Sequence, residues 1–133
     1  MMSAPIQQFF SSEAYAVIGA STDREKFGNK VLRCYLLNNK TVYPVNPRNG
    51  FIEGLTCIAD IAALPDTVKS ISIITPPIVT EIVVEQAIKK GIKNIWMQPG
   101  AESESAIRNC QNNRINVIAN GPCILIELGF AEH

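Results

Sequence analysis

The chain has 133 residues, 47% of them apolar and 18% charged, with twelve basic residues balancing twelve acidic ones. That length carries one domain with a real core, and the composition is far from that of a disordered chain. A net charge of zero provides no long-range field to hold a polyanion, so nucleic acid is not an expected partner and any phosphate site has to be local.

Residues 1–12 read as a leader, polar and small apart from Ile6 and the Phe9-Phe10 pair, which is expected to lay one aromatic patch on a domain spanning 1–133. The opening Met1-Met2-Ser3-Ala4-Pro5 has no basic stretch followed by an apolar one, so no secretory signal is expected. No apolar run approaches the roughly 18 residues that cross a bilayer. A cytoplasmic protein with no membrane contact is the expectation.

From Ala14 onward, short apolar runs at 14–18, 41–45, 71–74, 95–97 and 117–119 are mostly β-branched or aromatic and close on Gly, Pro, Asn or Gln, which predicts strands. Pro44 cannot donate to a ladder, which places it at the exit of the second strand with incomplete pairing there. Helical spacing predicts helices over 28–39, 77–90 and, more weakly, 103–113, with a short one over 55–64 ended by Pro65. In 77–90, Glu81, Glu85 and Lys89 line a polar face opposite Ile78, Val79, Ile82, Val83 and Ala87, and Gly91 stands where a helix stops. Five buried strands alternating with helices predict an α/β, three-layer, Rossmann-like doubly wound domain with a mainly parallel sheet. Ligand is then expected at the carboxyl ends of the strands.

The first strand breaks into Gly19-Ala20-Ser21-Thr22 and runs through Lys26-Phe27-Gly28-Asn29 into a helix. Unpaired backbone N–H groups beside the positive end of a helix dipole make a phosphate site. The loop departs from G-x-G-x-x-G, because eight residues separate Gly19 from Gly28, yet it can still curl its amides and the Ser21 and Thr22 hydroxyls around a pyrophosphate. Arg24, Lys26 and Lys30 add positive charge, partly offset by Asp23 and Glu25. At the second strand's exit, where a protein binding NAD usually carries an acid for the ribose diol, stands Asn46-Pro47-Arg48-Asn49. Carboxylates repel phosphate and Arg pairs with it, so the adenosine ribose is expected to carry a phosphate, as in NADP or coenzyme A. A plain tight turn at 47–50 is the simpler alternative.

The exits Thr75-Pro76-Pro77 and Gln98-Pro99-Gly100 fall on the same edge, where stopping strands and starting helices suffices to explain them. Of the four cysteines, Cys34, Cys57 and Cys110 sit in apolar or helical settings and show no metal-type spacing, as for reduced, buried thiols. Cys123 follows Asn120-Gly121-Pro122 at the ligand edge, but the sequence offers it no neighbouring His, the sole one being His133. No catalytic set and no metal site is expected.

In this order and spacing, residues 16–21, 26–29, 42–47 and 92–98, with the late Cys123, resemble the small stand-alone CoA-binding domain proteins, similar to the amino-terminal domain of the succinyl-CoA synthetase alpha subunit. The likeness runs from about residue 12 to about 128. It implies a Rossmann-like fold that binds coenzyme A, with Gly19, Ala20, Ser21, Lys26, Gly28 and Asn29 around the phosphates. Asn46, Pro47 and Arg48 would then lie near the adenosine, with Thr75 and Pro76 flanking the cofactor. Three functions follow as expectations. The first is a module that binds coenzyme A or an acyl-CoA without chemistry of its own. The second is an NADP-dependent oxidoreductase or an acyl-CoA ligase-related subunit needing a partner chain. The third is a regulatory subunit docking through Phe9-Phe10, or a homo-oligomer.

Overall fold

The computed structural model describes residues 2–48 and 50–130, so Asn49 and His133 lie outside the described residues. Strand β1 (Ala14–Ile18) sends Ala14, Ala16 and Ile18 to one apolar cluster and Tyr15 and Val17 to another. That period of two across a doubly covered strand is why all five residues are buried. With β2 (Val42–Val45), β5 (Val68–Ile73), β6 (Asn94–Met97) and β7 (Asn116–Ile118) it forms a five-stranded sheet in the order β2-β1-β5-β6-β7. Every pairing in that sheet is parallel. The order reverses between β1 and β5, which opens the ligand crevice of doubly wound folds at their carboxyl ends.

Helices α3 (Pro77–Lys90) and α4 (Glu104–Asn112) cover one face, with a 3-10 turn at Ile61–Ala63. Helices α1 (Ala4–Phe9), α2 (Phe27–Leu37) and α5 (Ile124–Glu127) cover the other. The aromatic layer of this second face is continuous: Tyr15 stacks on Tyr35 at 5.1 Å between centroids, and Phe9 meets Trp96 edge-on at 5.2 Å. Two serines of β5 enter that layer satisfied, Ser72 against the Tyr35 hydroxyl at 2.6 Å and Ser70 donating to the Phe9 carbonyl at 2.8 Å.

The leader lays its aromatic patch on the domain as expected: it contains α1, Phe9 is fully buried and Phe10 half-buried, so the pair covers the core and is not the exposed patch that docking would need. Other expectations need correction. The expected helix over 55–64 is instead a hairpin, β3 (Phe51–Ile52) with β4 (Leu55–Thr56), followed by the 3-10 turn. Glu53 and Gly54 turn it, both at positive φ (49° and 80°), the two-residue loop whose twist suits a hairpin. Pro44 lies within β2, opposite Val17, and the register with β1 is unbroken. Its carbonyl accepts from Ile58 N at 2.8 Å on the outer side, so the missing N–H falls on the sheet's edge and no bond to β1 is lost. Sequence periodicity gave no sign of the four-residue α5.

Candidate functional site

Two glycines shape the corner between β1 and α2. Gly19 has φ +92° and passes so close to the exit of β5 that an added Cβ would stand 2.4 Å from the carbonyl oxygen of Ile74, the residue just beyond that strand. Gly28, in the first turn of α2, lies against Gly19 itself: a Cβ there would stand 2.1 Å from the Gly19 oxygen. The helix therefore begins directly on the strand's exit, the close helix–strand approach that the third glycine of a dinucleotide fingerprint allows, reached here through a longer loop. Lys26 is the N-cap of α2 in an extended conformation and makes no side-chain cap, so the helix's first turn faces the loop it closes. Ser21 accepts from Asp23 N at 3.1 Å, which leaves its hydroxyl proton to give. Thr22 and Lys26 are exposed on the rim.

Two of the expected phosphate and adenosine residues have other employment. Asn29 is fully buried. Its amide donates to the Ser21 carbonyl at 2.9 Å and to Glu53 Oε2 at 3.1 Å, and its oxygen accepts from Arg33 Nε at 2.7 Å. Asn46 donates to the Ala20 carbonyl at 2.8 Å and accepts from Arg48 N at 2.9 Å, tying the second-strand exit to the first. Their side chains hold the loops in shape. Arg33 and Glu53 escaped the sequence reading; the i, i+4 spacing of Asn29 and Arg33 on one helix was the available signal for the first.

A cavity of about 350 Å³ opens between the second-strand exit and α3, lined by Gly19, Asn46, Pro47 and Arg48 on one side and by Thr75, Val79 and Ile82 on the other. A second, of about 590 Å³, lies over Ala20, Ser21, Lys26 and Gly28 and shares Gly19 and Asn46 with the first. Together they form an apolar slot and, side by side with it, a bowl that Glu25 and Phe27 also line, within the size range of cofactor pockets. Arg48 is exposed at the slot's mouth. Thr75 and Thr80 share a hydrogen bond at 2.8 Å, and Pro76 is the N-cap of α3, so this pair starts the helix while Thr75 also faces the slot. Nine of the twelve expected residues line one or both cavities; Asn29 stands behind the bowl, and Thr22 and Pro76 line neither.

Farther along the same edge, Gln98 is buried and accepts from Ile124 N at 2.8 Å while donating to Cys123 Sγ at 3.4 Å. The thiol of Cys123 is thus held by an amide, not a base. Cys34 and Cys110 are buried, and burial pushes each thiol up to about 11, with Cys123 nearby adding to the shift at Cys34. Both stay protonated near neutral pH and are poor nucleophiles. Among the described residues no group of His, Cys, Asp and Glu is arranged to hold a metal ion.

Comparison with known proteins now adds to the geometry. Residues 13–129 match the family described as CoA binding domain. The chain belongs to that family. The Methanocaldococcus jannaschii acetate–CoA ligase (ADP-forming) is 28% identical over 116 residues, which cover 83% of this chain and 16% of the ligase. This CoA-binding domain therefore spans about a sixth of the length of that curated relative. Among solved structures, a conserved hypothetical protein from Pyrococcus furiosus superposes with a TM-score of 0.82 at 37% identity, covering 86% of this chain and 98% of that one. A dinucleotide-forming acetyl-coenzyme A synthetase from Candidatus Korarchaeum cryptofilum, solved with phosphate and ADP, gives 0.76 at 28% identity, covering 86% of this chain and 27% of the synthetase. The Rossmann-like α/β fold is shared with these neighbours. No helix among the described residues is long and apolar enough to cross a membrane.

Proposed function

We propose that this domain holds coenzyme A or an acyl-CoA, with its pyrophosphate in the bowl over Gly19–Gly28 and its adenosine in the slot between Pro47 and α3. The observation that carries this is the contact of Gly28 with the Gly19 carbonyl, which brings the start of α2 onto the strand exit and opens both cavities from one corner. Val79 and Ile82 line the slot with apolar surface suited to a base, and Arg48 at its mouth is the residue we assign to a phosphate on the ribose. The residues gathered here bind and orient: Gly19 and Gly28 give room, Ser21 and Lys26 give donors, and Asn29 and Asn46 keep the loop in place. We assign no acid–base pair or nucleophile to this edge, and the reading is of a binding module.

Thermal denaturation beside CoA, dephospho-CoA, NADP and NAD tests this. A ligand at 100 times its Kd adds about 2.7 kcal/mol, a shift on the order of 10 °C for a chain of this size. CoA is expected to give that shift and the others less; no shift at millimolar CoA ends the reading. Because related sequence recurs inside far longer ligases, a second reading makes the chain the CoA-holding part of a ligase completed by a partner. Acetyl-CoA, ADP and phosphate given to the isolated chain should yield no ATP, and ATP formation would move the activity onto this chain.

A further inference from the structure

We propose that Glu53 is a positioning residue for the phosphate loop, acting through Asn29 from a hairpin outside the loop. This rests on the coenzyme A reading above and extends it to a residue that touches no ligand.

The β3–β4 hairpin turns on two residues at positive φ, Glu53 (49°) and Gly54 (80°). The first position of such a turn favours Asn, Asp or Gly, and a long carboxylate there is a poor local choice. A broken local rule points to a task elsewhere. Glu53 carries its carboxylate 24 positions back along the chain, where Oε2 accepts from Asn29 Nδ2 at 3.1 Å. The same Asn29 amide nitrogen donates to the Ser21 carbonyl at 2.9 Å, so Glu53 holds the amide facing the loop. With the nitrogen fixed, the Asn29 oxygen faces Arg33 Nε at 2.7 Å, and Arg33 Nη2 donates to the Arg24 carbonyl at 3.0 Å. Two points of the loop are thus tied to one buried amide that the carboxylate helps to orient, Ser21 directly and Arg24 through Arg33. The ion pair of Glu53 with exposed Arg24, at 3.8 Å, adds little by comparison.

Glu53 lines neither cavity, so its effect on binding runs through the shape of the loop and not through contact with the ligand. Two variants of the 133-residue chain test this. Glu53→Asn suits the turn and is too short to reach Asn29; Glu53→Gln keeps an acceptor oxygen at the same reach. Melting temperature, exchange of the Asn29 side-chain amide and of the 23–26 backbone amides by NMR, and CoA affinity by calorimetry are read for both. Glu53→Asn should melt within a few degrees of the parent, the better turn residue offsetting the lost bond, yet exchange and Kd should each rise roughly tenfold, as for a lost hydrogen bond to a charged group. Glu53→Gln should stay within about threefold of the parent on both. Parental exchange and affinity in Glu53→Asn, or tighter CoA binding there, would overturn the proposal. So would a Glu53→Gln protein as impaired as Glu53→Asn, since the charge and not the Asn29 contact would then matter. If the parent itself binds no CoA, the coenzyme A reading fails alone, and the exchange rates still decide whether Glu53 orders the loop.

Discussion

Two corners of this fold turn on glycine for different reasons. At the strand-to-helix corner, Gly28 is a helical residue without a positive φ, and it is glycine because the Gly19 carbonyl occupies the place of its side chain. At the helix-to-strand corner, Gly91 caps α3 with φ +87° in a left-handed conformation, and a Cβ there would meet nothing within 4 Å. The first glycine answers to its neighbours and the second to its own backbone. At the corner proposed for phosphate, crowding of the first kind brings the start of α2 onto the strand's exit.

Alanine at Gly28 tests this most severely. Helix propensity alone would favour the change by roughly 0.5–1 kcal/mol, whereas a clash with a backbone carbonyl should reverse the sign. We expect a loss of about 3 kcal/mol, a drop in Tm on the order of 10 °C, and no measurable CoA binding. A Gly28→Ala protein as stable as the parent would dissolve the contrast. Next, Asn29→Ala should cost about 2 kcal/mol, because the Ser21 carbonyl and Arg33 Nε each lose a buried partner; urea denaturation gives the number. Arg48→Ala should leave the melting of the free protein unchanged and cut the preference for CoA over dephospho-CoA about tenfold, as for one charge-assisted bond. An unaltered preference in calorimetry removes Arg48 from the slot. The smallest effect belongs to Gly91→Ala, about 1 kcal/mol from the strained dihedral, with CoA affinity as in the parent.

The sheet and its order of elements were legible because β-branched runs and amphipathic helices impose periods of 2 and 3.6 on the chain. The five strands, α2, α3 and α4 appear close to where those periods place them, although β5 starts at Val68, three residues before its apolar run. The hairpin was hidden because its turn uses Glu-Gly where Asn-Gly would have announced it, and the reach of Glu53 to Asn29 is a tertiary contact with no local trace. The loop's residues could be picked out as polar and small, but not sorted: that Asn29 and Asn46 bond to backbone carbonyls of the loop while Ser21 keeps a free proton depends on which way each side chain faces after folding. The Gly19–Gly28 contact lay outside the usual fingerprint because contact in space replaced proximity in sequence.

The placement of Pro44 reaches beyond the folding of one molecule. Its ring and the bridge from Ile58 to Val45 close the outer margin of β2, so another chain finds few free amides to zip onto there. Strand addition along β2 is thereby disfavoured, so a contact that lengthens the sheet would have to use the opposite edge, β7.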